Sequence, residues 1–289
     1  MQIGVVFPQT EIGADVDGVR AYGQAVQDIG YQHLMAYDHV LGADPSTRPG
    51  WTGYTNHDMF HEPFVLFGYL AGVTPRMEFV SGVVILPQRQ TVLAAKQAAE
   101  VDVVTKGKFR FGVGIGWNPV EYEALGMNFH DRGRRIVEQV DLMRRLWTTP
   151  ILSFEGRDHR VTQAGLNPLP VQQPIPVWIG ASADAGIKRA CQIADGFFPQ
   201  RRPNNDWPSM VDKMHGWLRE AGRDPSTFGL DPRIEAGKGT PSDWRREVEM
   251  WRGLGASHLS VNTMGGGLRG PEAHIERARE AFDVVGDVA

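Results

Sequence analysis

The side chains best suited to chemistry stand at the ends of short apolar runs. Asp38 and His39 close the run HLMAY. An imidazole titrates near neutrality, so it can pass a proton or hold a hydrogen bond to a carbonyl. Adjacent residues of an extended chain face opposite sides, so at most one of the pair normally reaches a common cavity. The plainer reading is an Asp that caps the loop and a His that packs. GASADAG, residues 180–186, follows a strand-like run and opens a helix-like one. The backbone N–H groups of Ala181, Ser182 and Ala183, the Ser182 hydroxyl and the helix dipole would together seat a phosphate. Ordinary N-capping by Ser182 is the alternative. Gly265-Gly266-Gly267 with Arg269 is a second anion candidate, or a flexible turn. In HDMFHE, His57 and His61 stand four apart beside Glu62. A metal would need both on one helix face and a third ligand. Pro63 makes this a loop–helix junction, where His61 as a cap is the plainer reading. Cys191 lies among apolar neighbours and reads as buried and inert.

A further oddity is FRFGVGIGWNPVEYEALG, residues 109–126. Phe109, Phe111, Val113 and Ile115 occupy one face of a period-2 pattern; Arg110, Gly112, Gly114 and Gly116 occupy the other. Glycines weaken a strand, so they need a reason. Either a flat group approaches the backbone there, or the glycines relieve crowding in a core. Trp117, Asn118 and Pro119 then turn the chain out.

The elements that must position these residues alternate along the chain. Strand signals at 2–7, 33–37, 77–86, 109–115, 177–180, 196–199, 228–235 and 258–262 are interleaved with helix signals at 15–30, 61–72, 91–105, 131–147, 183–194, 207–221, 242–254 and 271–285. Asp15 and Gly30 are good caps for the first helix. Pro232 weakens the seventh strand. Residues 151–173 lack a helical period and read as an insertion with a short hairpin between strands four and five. Eight parallel βα units predict a closed (β/α)8 TIM barrel, with residues 1–289 as one domain. A doubly wound sheet would need a phosphate fingerprint in its first turn, and Phe7-Pro8-Gln9-Thr10 is not one.

A barrel places its active site at the C-terminal strand ends. That collects Gln9, Asp38, His39, Pro87, Gln88, Gly116, Trp117, Asn118, Ser182, Arg201, Arg202, Asn262 and the loop TMGGGLRG. No Lys stands among them for a Schiff base, and no acidic pair suggests glycoside chemistry. The net charge of −4 gives no basic face for nucleic acid. One cysteine allows no intrachain disulfide and fits a reducing, cytoplasmic setting. MQIGVVFPQ carries no signal-peptide pattern, and no apolar run approaches a membrane span.

The strand ending YDHV, the run GVVILPQRQTVLAAKQAAEVDVVTKGKFRFGVGIGWN and PIPVWIGASADAGIKRACQIADGFF together resemble the luciferase-like flavin and deazaflavin oxidoreductases, which are (β/α)8 barrels. The middle run, followed by PVEYEALG, is most similar to the branch that uses coenzyme F420, an 8-hydroxy-5-deazaflavin. The resemblance implies that Val83, Val84 and Ile85 form a bulged strand end behind the deazaflavin ring, with a cis peptide at about Val83-Val84. It implies that Gly116, Trp117 and Asn118 meet the ring edge. Gly180, Ala181 and Ser182 would bind the cofactor phosphate, and Asp38 and His39 would lie at the reacting face. Residues 41–60, with Trp51 and Tyr54, would form a lid. The glycine claim narrows to Gly116 through Asn118, leaving Gly112 and Gly114 to packing. Sugar-phosphate dehydrogenases of this kind carry Glu where this chain has Trp117, and a Trp where it has Leu41, Gly42 and Ala43. Glucose-6-phosphate oxidation is therefore not expected; an aromatic wall suits a flat or apolar substrate. The expected activity is hydride transfer between F420 and a small molecule with an activated C=C, C=O or C=N. The alternatives are an FMN-dependent two-component monooxygenase, a cofactor carrier without turnover and a metal-dependent hydrolase. Relatives are commonly homodimers.

Overall fold

A computed structural model describes residues 1–200 and 206–287 of the chain; Arg201 and Arg202, two of the expected strand-end residues, lie outside them. The elements in order are β1 (Gln2–Val6), α1 (Val16–Ile29), β2 (His33–Ala36), α2 (Pro63–Ala71), β3 (Glu78–Ser81), β4 (Val84–Ile85), α3 (Thr91–Val104), β5 (Phe109–Gly114), α4 (Pro119–Ala124) and α5 (Arg132–Thr148). There follow β6 (Leu152–Glu155), β7 (Arg160–Ala164), β8 (Val177–Ala181), α6 (Asp184–Ile193), β9 (Gly196–Pro199), α7 (Trp207–Glu220), β10 (Gly229–Leu230), β11 (Arg233–Glu235), α8 (Pro241–Gly253), β12 (His258–Asn262) and α9 (Gly270–Gly286).

The main sheet is parallel and runs β10-β9-β8-β5-β3-β2-β1-β12-β11, with β4 also on β5. Its two ends, β10 and β11, are halves of one expected strand, separated by Asp231 and Pro232. The sheet therefore curls until its ends meet, and the (β/α)8 expectation holds. The seventh strand is broken because proline has no N–H for the ladder. The third is broken between Ser81 and Val84, where a cis peptide links Gly82 to Val83, one residue before the expected Val83-Val84. The expected insertion is the antiparallel hairpin β6-β7. Its turn is tied to α5 by the Glu138 carboxylate, which accepts from the N–H groups of Arg157 and Asp158 and lies 2.7 Å from His159 Nδ1.

Local chemistry accounts for the element ends. Asp15 caps α1 by accepting from the N–H groups of Asp17 and Gly18, and Gly30, at φ 120°, closes it. Glu62, not His61, caps α2 by accepting from Val65 N–H. His61 Nε2 instead approaches the Gly13 carbonyl at 3.3 Å. The short helix α4, which has no counterpart among the expected helices, starts at Asn118, whose Oδ1 accepts from Val120 N–H.

Two cores result. One lies between sheet and helices; Cys191 is buried in it, and burial pushes its thiol up to about 11. The other fills the barrel with Val6, Met35, Val80, Trp178, Phe198 and Met264. Below this layer, at the N-terminal strand ends, sits a buried polar network. Arg110 donates to Glu78 (2.9 Å) and Asp231 (3.1 Å) and lies 4.7 Å over the Trp178 ring. Asp231 also accepts from Ser260 Oγ, and His33 Nε2 lies 3.4 Å from it. Burial alone would raise the Asp231 carboxyl, but His33 and Arg110 outweigh burial and hold it well below the usual range.

Burial holds the imidazole of His258 at about 3, with Arg110 adding repulsion, and burial alone holds that of His274 at about 4. Both fold as neutral rings. A lowered imidazole means that the unfolded chain binds more protons below about pH 6.5. Their contribution is complete above that pH and is lost as pH falls toward 4. Thermal melts should show Tm falling through this window, and His274→Gln should flatten the fall; a Tm independent of pH from 7 to 4.5 would contradict the neutral-ring assignment.

Candidate active site

A cavity of about 610 Å³ opens at the C-terminal strand ends, where a barrel fold puts its chemistry. Its floor is the broken third strand. Val83 and Ile85 face the cavity, and the glycines of β5 lie against this break. A Cβ on Gly114 would stand 2.6 Å from Val83 Cγ2, and one on Gly116 would stand 2.7 Å from Ile85 Cγ2. A Cβ on Gly112 would fall 1.7 Å from the Ser81 carbonyl oxygen. The glycine face of the strand thus receives the bulge of its neighbour, and the bulge receives whatever enters the cavity. Packing is the reason for Gly112 and Gly114, and it extends to Gly116, whose φ of 65° also demands glycine.

The wall beside this floor is His39 with aromatic neighbours. Its ring centroid lies 4.6 Å from that of Tyr54, 4.7 Å from Phe60 and 5.8 Å from Trp117. The Trp51 ring lies 5.8 Å from that of Trp117, tilted by 42°, and Trp51 donates its indole N–H to the Tyr54 carbonyl. The loop of residues 41–60 therefore lies over the cavity from one side. His39 Nδ1 is 3.1 Å from Glu121 Oε1, and that oxygen also accepts from Val40 N–H at 2.9 Å. Glu121 is buried at the first turn of α4. A carboxylate partner fixes the proton on Nδ1, which leaves Nε2 for the cavity that the ring lines.

On the opposite side, β8 runs into α6. Gly180, Ala181 and Ser182 line the cavity there. The N-cap residue is Ala183, and no side chain caps α6, so the first-turn N–H groups are not taken by Ser182. Two cations line the same end. Arg132 donates to the carbonyls of Gly116 and Phe129 and lies over the Phe129 ring at 3.6 Å. Partial burial pushes the Arg189 guanidinium downward, and among the described residues no carboxylate offsets it. Helix terminus, hydroxyl and two guanidinium groups fit a bound phosphate. Arg189→Gln should weaken binding of a phosphate-bearing cofactor about 10- to 100-fold, the worth of one hydrogen bond to a charged group; isothermal titration showing unchanged affinity would rule Arg189 out of this seat.

Of the expected site residues, His39, Val83, Ile85, Gly116, Trp117, Gly180, Ala181 and Ser182 line one cavity. Three are placed differently. Asp38 reaches the cavity edge, but its carboxylate accepts from Ile85 N–H at 3.0 Å and from Arg89 Nη2 at 2.7 Å. It anchors the bulge, and its lone pairs are not available at a reacting face. Val84 is fully buried in the outer core, because strand alternation turns it away between Val83 and Ile85. Asn118 is buried as the cap of α4. The glycine loop after β12 already holds an acid: Gly265 N–H donates to Glu11 Oε1 at 2.8 Å. Glu121, Arg132, Arg189, Tyr37 and Arg233 also shape the cavity or its wall and were absent from the strand-end set. Glu121 carried one signal, an acid three residues past a good N-cap at a strand end.

The sequence profile of the luciferase-like monooxygenases matches residues 1–237. The chain belongs to that family. An uncharacterized protein of Mycobacterium tuberculosis is 32% identical over 223 residues, covering 75% of this chain and 77% of its own. The F420-dependent hydroxymycolic acid dehydrogenase of the same species is 27% identical over 253 residues, covering 86% and 66%. Among solved structures, an F420-dependent secondary alcohol dehydrogenase in complex with an F420-acetone adduct superposes with TM-score 0.75 at 16% identity, covering 98% of each chain. The monooxygenase RslO1 from Streptomyces bottropensis superposes with TM-score 0.73 at 18% identity, covering 100% and 98%. The two structures share the fold of this chain; one works with a deazaflavin and the other is a monooxygenase.

Proposed function

We propose that this barrel is an F420-dependent oxidoreductase that moves a hydride between the deazaflavin and a small organic molecule with an activated C=C, C=O or C=N. The observation that carries the reading is His39, held by buried Glu121 at the edge of a cavity whose far end gathers the uncapped start of α6, Ser182, Arg132 and Arg189. Bound there, a deazaflavin would supply two-electron hydride chemistry. Val83 and Ile85 would back its ring system, Gly180, Ala181, Ser182, Arg132 and Arg189 would hold its phosphate, and Trp117 would border it. His39 Nε2 would donate a proton to, or polarise, the acceptor atom while Glu121 carries the resulting charge change. Tyr54, Phe60 and Trp117 would exclude water and align a flat acceptor. The same residues would serve in reverse for an alcohol, with Nε2 accepting the proton.

An FMN-dependent monooxygenase is the second reading, favoured by the similarity to RslO1 and by a seat that suits any flavin phosphate. The test is an anaerobic screen of reduced F420 and enzyme against enones, aldehydes and imines, followed by absorbance. Recovery of oxidised deazaflavin without oxygen supports the proposal. No recovery with any acceptor, together with product formation from reduced FMN and oxygen, overturns it.

A further inference from the structure

The cavity has a third charged feature, on the side away from the phosphate seat. Arg233, the first residue of β11, lies deep in the barrel mouth yet keeps part of its surface open. It lines both the main cavity and a smaller adjoining one of about 320 Å³, as do Tyr37 and Tyr54. Among the described residues its one hydrogen bond to a side chain runs from Nη1 to the Tyr37 hydroxyl at 2.9 Å, and the guanidinium lies 5.2 Å over the Tyr37 ring. Among the described residues no carboxylate forms an ion pair with it. Glu235, the acid whose charge is felt there, accepts instead from Asn262 Nδ2 at 2.7 Å. Because Tyr37 oxygen accepts from Arg233, the tyrosine O–H points elsewhere. Burial pushes that phenol up to about 12, so it stays protonated. A guanidinium, a committed phenol donor and Tyr54 thus border one space; Glu11, Glu235 and Lys238 line its smaller part, and among the described residues neither acid pairs directly with Arg233.

Tyr37 and Glu235 together outweigh burial and keep this guanidinium charged, and the N–H groups not given to Tyr37 remain for a ligand in the cavity that it lines. We infer that the substrate carries a carboxylate, bound by Arg233 and the Tyr37 hydroxyl, on a flat apolar body packed against Tyr54 and Trp117. The nearby Glu235 favours a monoanion over a phosphate dianion. This rests on the cavity being the substrate site of the proposed oxidoreductase, and it assigns the group that would orient an otherwise featureless planar acceptor.

The test uses benzoate and benzamide, which match in shape and differ in charge, with calorimetry on the full chain without cofactor. It is therefore indifferent to which cofactor the protein uses. Wild type should bind benzoate about 10-fold or more tightly than benzamide, as expected for a charge-assisted pair. Arg233→Gln should bring the ratio near one, Arg233→Lys should keep part of it, and Arg189→Gln should leave it whole. Tyr37→Phe should give an intermediate ratio and serves where Arg233→Gln does not fold. No benzoate preference in wild type overturns the inference, as does a preference that survives in Arg233→Gln and Tyr37→Phe. A preference lost in Arg189→Gln instead would assign the anion to the cofactor seat and overturn it as well.

Discussion

His39→Ala is expected to lower turnover by about 10²- to 10⁴-fold, the usual worth of a positioned general acid or base, while leaving cofactor affinity within a few-fold of wild type. The ring lines the cavity, and Glu121 engages its Nδ1. Nothing in the phosphate seat touches it. Glu121→Gln separates positioning from packing. The amide fills the same space and still accepts from Nδ1, but it lacks the negative charge that offsets a proton passing through the ring, so kcat should fall while KM and Tm stay near wild type. A merely structural Glu121 would move Tm and leave the kcat of the folded enzyme in place. Equal loss of cofactor binding and turnover in His39→Ala would show that the ring holds the cofactor rather than the proton.

The largest stability effect should come from the barrel floor. Asp231→Ala is expected to destabilise the fold by about 3–5 kcal/mol, because it leaves the buried Arg110 with one fewer carboxylate. Asp231 accepts from Arg110 and Ser260, and His33 lies against it, all without exposure to water. Urea unfolding measures this directly; a loss under about 1 kcal/mol would place the mutation among ordinary surface changes and contradict the network's role. The cavity lies at the other end of the strands, so the surviving folded fraction should bind cofactor normally.

The architecture was legible because each βα unit writes its own signals: an apolar run, a cap, an amphipathic stripe. Asp15, Gly30 and the stripe of α1 fall as expected. Where the backbone departs from regular pairing, the signals fade. The third strand reads as one apolar run through Val83, yet its pairing breaks before Val84, and alternation then decides that Val83 and Ile85 face the cavity and Val84 does not. The Asp38–His39 alternation was readable in principle, since neighbours on a strand diverge. Which one faces the site depended on Arg89 and the Ile85 N–H, 51 and 47 residues away. Glu121 stands 82 residues from His39, and no local pattern links them. Arg233 was obscured by Pro232, which made its strand look weak; the same proline lets β10 and β11 pair with different neighbours and leaves Arg233 at the mouth.

The glycines of β5 show how a local oddity can have a non-local cause. They suggest a flat ligand against the backbone. With Gly116 just beyond the strand, they in fact seat Ser81, Val83 and Ile85, and the cavity lies one layer further, against the bulge itself.

The central claim is the deazaflavin. Equilibrium titration of the cofactor-free protein with F420 and with FMN, followed by fluorescence, tests it most directly. Saturable micromolar binding of F420, tighter than FMN and weakened in Arg189→Gln, is the predicted result. Micromolar binding of FMN with no binding of F420 would contradict it.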